Sequence, residues 1–202
     1  MATCWASVSQ SQESSIMTKK KQSTFSMVQG ATNPTVLSVG STYIRRRTSI
    51  IESRELANKR NLPAVCWAAD FEDGKRHKES AKWNGLAYID IDHVHDNWPG
   101  YKPELDYYMN TKAFYDQRFG GREQELRIVH AQISPSFDGL HIVFVPEIAP
   151  DAERGLELAQ QKFADNAGLC FWDKSCHDLS RLLFLTPIAC TLYDVTDILT
   201  DD

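Results

Sequence analysis

The sequence predicts an α+β fold, with helices packed on one face of a mixed or antiparallel sheet whose other face stays open. Three observations lead there. The order of segments reads helix, strand, strand, helix, strand, strand, helix, strand. Two of the strands, "RIVHAQIS" (127–134) and "LHIVFVPE" (140–147), are separated only by "PSFDG", a hairpin turn. Helices and strands in this order segregate onto opposite faces of an antiparallel sheet.

The elements follow in order. Residues 1 to about 35 are rich in Ser, Thr and Gln and show no periodicity, so they read as a mobile N-terminal tail, with 36–202 as the folded domain. "TSIIESRELANKRNLP" reads as a helix from about Ser49 that stops before Pro63. "AVCWAADF" (64–71) is a strand, and "EDGKRHKESAKWNG" a polar, basic loop. Residues 86–94 form a central strand. Residues 103–119 are helical, with Pro103 at the start and two glycines after the end. Residues 151–168 make the clearest helix, between Pro150 and Gly168, and "RLLFLTP" (181–187) is a last strand.

Composition narrows the function classes. With 202 residues, 42% hydrophobic and 24% charged, the chain supports one core. No apolar run approaches the roughly 18 residues that span a bilayer, and the N-terminus lacks the pattern of a secretory signal. Cys4, Cys66, Cys170, Cys176 and Cys190 are odd in number and lack C-x-x-C spacing, which points to reduced thiols in the cytoplasm. The same missing spacing argues against zinc at Cys170, Cys176 and His177. Charge is uneven. Residues 18–82 hold thirteen Lys and Arg against six Asp and Glu, and residues 83–202 hold nine against twenty. A basic leading half fits a phosphate-facing arm, and an acidic trailing half fits a metal-holding body.

The stretch "GLAYIDIDHVHD" (85–96) carries the chemistry. Asp is depleted from strands, yet Asp90 and Asp92 stand two residues apart and so share a sheet face. Two carboxylates on one face repel unless a divalent cation such as Mg²⁺ or Mn²⁺ neutralises them. Alternation sends Ile89 and Ile91 toward the helices, and His93 and His95 share that parity. In "SPSFDGLHIVF", Ser134, Ser136 and Gly139 build a tight turn whose N–H groups suit phosphate, and His141 adds a donor. In "FWDKSCHDLSRLLF", Asp173 follows two aromatics and Arg181 precedes an apolar strand; Arg binds two phosphate oxygens at once.

Together, Ile89-Asp90-Ile91-Asp92, Gly139-Leu140-His141, and Trp172-Asp173 with Arg181 resemble the three motifs of the archaeo-eukaryotic primase superfamily, the primase-polymerases. "NLPAVCWAADF", "SPSFDGLH" and "DKSCHDLSRLLF" are similar to its VirE N-terminal domain branch of bacterial mobile elements, over roughly residues 55 to 190. The resemblance implies a primase-polymerase catalytic core and a metal-dependent nucleotidyltransferase, a DNA primase or polymerase replicating a mobile element, phage or plasmid. It implies Asp90, Asp92 and Asp173 as catalytic ligands of Mg²⁺ or Mn²⁺, with Asp178 as the alternative third carboxylate. Ser134, Ser136, Gly139, His141 and Arg181 would bind the nucleotide. Lys75, Arg76, Lys78 and Lys82 would contact the template, and a helicase would act in trans. Two rivals remain: a nicking endonuclease using His93, His95 and Tyr107 or Tyr108, and a degenerate module that only binds DNA. The acid pair also fits haloacid-dehalogenase-type phosphatases, but those begin at an N-terminal strand, and no paired "DD" follows here in a suitable place.

Overall fold

The computed structural model describes residues 25–29, 35, 37–39 and 59–196. The helix expected from Ser49 lies largely outside the described residues; its last residues, Lys59–Asn61, form a single 3₁₀ turn. The strands are β1 (Phe25–Gln29), β2 (Leu37–Val39), β3 (Pro63–Cys66), β4 (Ala69–Phe71), β5 (Ala81–Trp83), β6 (Ala87–Ile91), β7 (Ile128–Ile133), β8 (Leu140–Phe144), β9 (Leu183–Phe184) and β10 (Thr191–Asp194). The helices are α1 (Val94–Asn97), α2 (Tyr107–Arg118) and α3 (Glu157–Ala167). The fold is α+β, as the sequence predicts.

The central sheet runs β10-β7-β8-β6 and every pairing is antiparallel. A second antiparallel sheet runs β2-β1-β3-β9, and β4 pairs with β5 as a ribbon. The 64–71 segment is thus two strands, β3 and β4, assigned to different sheets and separated by Trp67 and Ala68. β1 falls inside the segment expected to be a tail, and it pairs with β3 from Ser26 against Cys66 to Gln29 against Pro63. The helix expected from Pro103 starts at Tyr107 because Asp106 is its N-cap, accepting the Met109 N–H at 2.7 Å. The helix expected from Asp151 starts six residues later, because the Asp151 carboxylate accepts the Glu153 and Arg154 N–H groups and holds a turn there. Its end is as predicted: Gly168 has φ 65°, and the Leu169 N–H returns to the Ala164 carbonyl.

Register sorts the two faces of the central sheet. Ala87 pairs with Phe144, Ile89 with Ile142 and Ile91 with Leu140. These residues form the helix-packing face that alternation predicts. Phe144 stacks on Phe163 of α3 at 4.2 Å, and Phe163 continues through Phe119 to Phe114 of α2. The opposite face carries Tyr88, Asp90, His141, His130 and Gln132. It is covered over much of its length: Trp67 stacks on His130 at 5.0 Å, and Gln132 donates to the Phe184 carbonyl of β9. The open face expected from the sequence is narrowed to a cleft at the Asp92 end.

β6 is the edge of its sheet, so its outward carbonyls need other donors. Gln160 of α3, itself buried, donates Nε2 to the Tyr88 carbonyl at 2.9 Å and to the Cys176 carbonyl at 2.6 Å. The Asp173 N–H donates to the Asp90 carbonyl at 2.8 Å. The strand is thereby closed by a side chain and by the segment that brings Asp173. Among the described residues, no helix is long and apolar enough to cross a membrane.

Removing a buried ring from this stack leaves a cavity the helices cannot fill. Phe163→Ala should lower the unfolding free energy by about 3–5 kcal/mol in denaturant titrations. A loss below about 1 kcal/mol would show that α3 is not anchored through this ring.

Candidate active site

A single cross-strand row builds the site. Asp90 on β6 pairs with His141 on β8, which pairs with Gln132 on β7. Directly opposed residues on neighbouring strands share a face, so the register alone brings these three side chains together. Gln132 donates Nε2 to the Phe184 carbonyl at 2.6 Å. A carbonyl can only accept, so this contact orients the amide. The same Nε2 then meets His141 Nδ1 at 3.2 Å, and Oε1 faces His130 Nε2 at 3.3 Å. His141 therefore accepts at Nδ1 and carries its proton on Nε2, 3.7 Å from Asp90 Oδ1. Burial pulls its pKa down to about 4, despite the pull of Asp92 in the other direction, so the ring is neutral at physiological pH. Asp194 stands 3.8 Å behind His130 and ends the buried polar row.

Asp90 is 7% exposed, and its Oδ1 has no hydrogen-bond partner among the described residues. Burial, and then the charge of Asp173, push its pKa up to about 6. Asp173 projects from the segment hooked onto β6. Its Oδ1 accepts the Ser175 N–H and hydroxyl at 2.9 and 2.6 Å. Burial would raise its pKa, but hydrogen bonds from Cys176 and Ser175 outweigh that and hold it below the usual value. The Cys176 thiol lies between the two carboxylates, 2.8 Å from Asp173 Oδ2 and 3.8 Å from Asp90 Oδ2. Ligand atoms of Asp90, Asp173 and Cys176 all lie within 4.8 Å of one another.

Asp92 lies one residue past the end of β6 and is half-buried; burial and the Asp90 charge raise its pKa. The 134–139 turn backs it. A side chain at Gly139 would collide with the Ile91 carbonyl and come within 3.0 Å of Asp92 Oδ1 and 3.1 Å of Ser134 Oγ. Ser134 and Ser136 share a hydrogen bond at 2.9 Å. Arg181 is exposed, with its charge felt at both Asp90 and Asp173. A cleft of about 380 Å³ opens beside the carboxylates, lined by Asp92, His93, Asn97, Phe171, Trp172 and Asp173.

The donor set fits a hard divalent cation. A buried carboxylate oxygen without a donor, next to a second carboxylate, leaves uncompensated negative charge that such an ion neutralises. Asp90 and Asp173 would hold it, with Asp92 at the mouth. Asp178, the alternative third carboxylate, accepts the Ser180 hydroxyl at 2.7 Å and stands outside this group.

None of Lys75, Arg76, Lys78 and Lys82 lines the cleft. Arg76 donates to the Ser180 carbonyl at 3.2 Å, and Lys82 pairs with Glu72 at 2.5 Å. His95 packs against Tyr107 at the start of α2, but His93 does not go to the helix side. The chain leaves the strand at Asp92, His93 takes a left-handed φ of 58°, and its side chain reaches the cleft. Sequence reasoning missed Gln132, His130 and Cys176 as site neighbours. The His130-Ala131-Gln132 alternation was a usable signal for the first two, and the three-residue spacing of Cys176 from Asp173 for the third.

The two shifted groups oppose each other in their pH dependence. Between pH 3.8 and about 6 the folded state holds more protons on Asp90 than the unfolded chain does, so this group makes stability fall as pH rises. His141 is shifted from 6.5 down to about 4, so it makes stability rise over that range. In metal-free buffer, Asp90→Asn should therefore gain stability over the wild type progressively from about pH 4 to about pH 6, toward a plateau on the order of 3 kcal/mol. Thermal melts across this range check it; a variant less stable than wild type at pH 7 would contradict the burial of an uncompensated charge.

A family model described as "BT4734-like, N-terminal domain" matches residues 57–187. The match runs from ahead of β3 through β9 and takes in every residue of the site row except Asp194. No primase-polymerase family matches, so the resemblance to that superfamily and its VirE N-terminal branch is corrected. The motifs and words behind it are strings of two to twelve residues, whereas the family model is matched continuously over residues 57–187. Comparison with curated proteins and with solved structures gives no match. Since the match covers more than half of the chain, the protein belongs to the BT4734-like, N-terminal domain family.

Proposed function

We propose that the chain is a divalent-metal-dependent nucleotidyltransferase that extends a nucleic-acid strand from nucleoside triphosphates. The observation that carries this reading is the buried Asp90, whose Oδ1 has no hydrogen-bond partner among the described residues and which offers a ligand atom within 4.8 Å of one on Asp173, beside a neutral His141 that keeps its proton on Nε2. Carboxylate-held Mg²⁺ or Mn²⁺ ions activate a hydroxyl and neutralise a triphosphate when bound. The protein groups do the remaining work. Asp90, Asp92 and Asp173 would hold the ions. His141 supplies a neutral N–H donor near the phosphates, and its Nδ1 partner Gln132 keeps that proton in place. Arg181 offsets phosphate charge. The aromatic walls from Phe171 and Trp172 suit a base or sugar. The strand hydroxyl loses its proton to solvent and attacks the α-phosphorus; the new P–O ester bond forms as the α–β phosphoanhydride bond breaks, and pyrophosphate leaves. DNA synthesis directed by a template, in replication of a mobile element, is the specific form of this reading. The partners would be a template, triphosphates and a helicase in trans.

Template-dependent incorporation of labelled nucleotides with Mg²⁺ or Mn²⁺ tests it. Asp90→Ala and Asp173→Ala should abolish incorporation while the fold persists. His141→Ala should weaken nucleotide binding about 10- to 150-fold, the loss of a hydrogen bond to a charged group. Tyr107→Phe and Tyr108→Phe should be near neutral. A protein–DNA adduct that survives denaturation would replace this reading with the nicking one, and nucleic-acid binding without turnover would replace it with a binding module.

A further inference from the structure

The turn after β6 carries a second cluster of ligating groups, outside the acidic row. His93, His95 and Asp96 each place a ligand atom within 4.8 Å of the others. We propose that these three residues form a separate site for a borderline transition-metal ion of the Zn²⁺ class, at the rim of the cleft.

The buried Asp138 is what organises the cluster. Its Oδ1 accepts the His95 backbone N–H at 2.9 Å, and its Oδ2 takes the His95 Nδ1 proton in a short hydrogen bond. His93 Nδ1 stands 4.0 Å from the same oxygen. A carboxylate that occupies Nδ1 fixes the tautomer and leaves Nε2 as the lone-pair donor, the usual outer support of a metal-bound histidine. His95 Nε2 lies 3.0 Å from Asp96 Oδ1. Two ligands about 2.1 Å from one tetrahedral ion sit roughly 3.4 Å apart, so this spacing is close to that of adjacent ligand positions. The His93 and His95 rings are 6.1 Å apart, edge to face. Tyr101 and Tyr107 pack against His95 at 6.2 and 5.4 Å and restrict its ring from the far side.

The backbone supports the same reading. Among the described residues only His93, Arg127 and Phe137 are non-glycine residues with positive φ. His93 belongs to this cluster, and Phe137 directly precedes Asp138. Strain of this kind concentrates where a site demands it. Imidazole with one carboxylate suits zinc, cobalt and nickel, whereas the Asp90 and Asp173 pair suits magnesium and manganese. The two sites would therefore take different metals, and this inference is independent of the reaction assigned to the acidic row.

The test uses the full chain stripped of metal, then dialysed against Zn²⁺ or Co²⁺. Metal content and the visible spectrum of the Co²⁺ form are the readouts. The proposal expects one retained ion per chain with ligand-field bands of tetrahedral intensity, unchanged in an Asp90→Asn, Cys176→Ser double variant. His93→Gln with His95→Gln should remove it. Asp96→Asn should weaken it without touching the Asp138 contacts, and Asp138→Asn should weaken it about 10- to 100-fold. Far-ultraviolet circular dichroism verifies that each variant folds. No retained ion in the wild type would overturn the proposal. So would retention in the double histidine variant, or thiolate charge-transfer bands that vanish with Cys176→Ser, which would place the ion on the acidic row.

Discussion

The site depends on one constraint: Asp90 is held inside the sheet face with an oxygen, Oδ1, that accepts no hydrogen bond among the described residues. A buried carboxylate is stable only when paired, hydrogen-bonded, protonated or bound to a cation. The surroundings show how little else was left to chance. Gln160 closes the β6 edge, Gln132 is oriented by the Phe184 carbonyl, and Asp173 is tied by its own backbone to Asp90. Each of these contacts fixes a neighbour of Asp90, yet none reaches Oδ1. Under the proposed function, a bound divalent cation would supply the positive charge that this oxygen lacks.

The antiparallel register delivers this arrangement. Pairing Asp90 with His141 and His141 with Gln132 sets three residues, distant in sequence, into one row. A one-residue slip of β8 would send His141 to the aromatic helix face and bring an apolar neighbour beside Asp90. Gly139 helps to prevent that slip, because the hairpin turn passes too close to the Ile91 carbonyl to admit a side chain. The aromatic stack of Phe144, Phe163 and Phe119 holds the other face against α2 and α3. Packing on one side of the sheet thus fixes the electrostatics on the other.

Local patterns in the sequence carried much of this. The alternation through Ile89 and Ile91, the 134–139 hairpin and the Gly168 helix end follow from period and turn chemistry. Asp90 and Asp173 stood out as carboxylates in apolar or aromatic settings. What was not legible depends on partners far away in the chain. β1 and β10 are short segments that become strands only by pairing with β3 and β7. Gln132 matters because of a carbonyl on β9. The parity argument failed at His93 because the backbone turns left-handed there, which period alone does not encode. The family assignment differs from the motif resemblance for a related reason: short words fix chemistry at a few positions but not the lineage of the surrounding fold.

Anomalous diffraction from crystals soaked in Mn²⁺ tests the central claim most directly. The account predicts a peak within coordination distance of Asp90 Oδ1 and an Asp173 carboxylate oxygen, and its loss in Asp90→Asn. Ordered Mn²⁺ confined to other positions, or Asp90 Oδ1 accepting a hydrogen bond from a protein donor in the crystal, would contradict it.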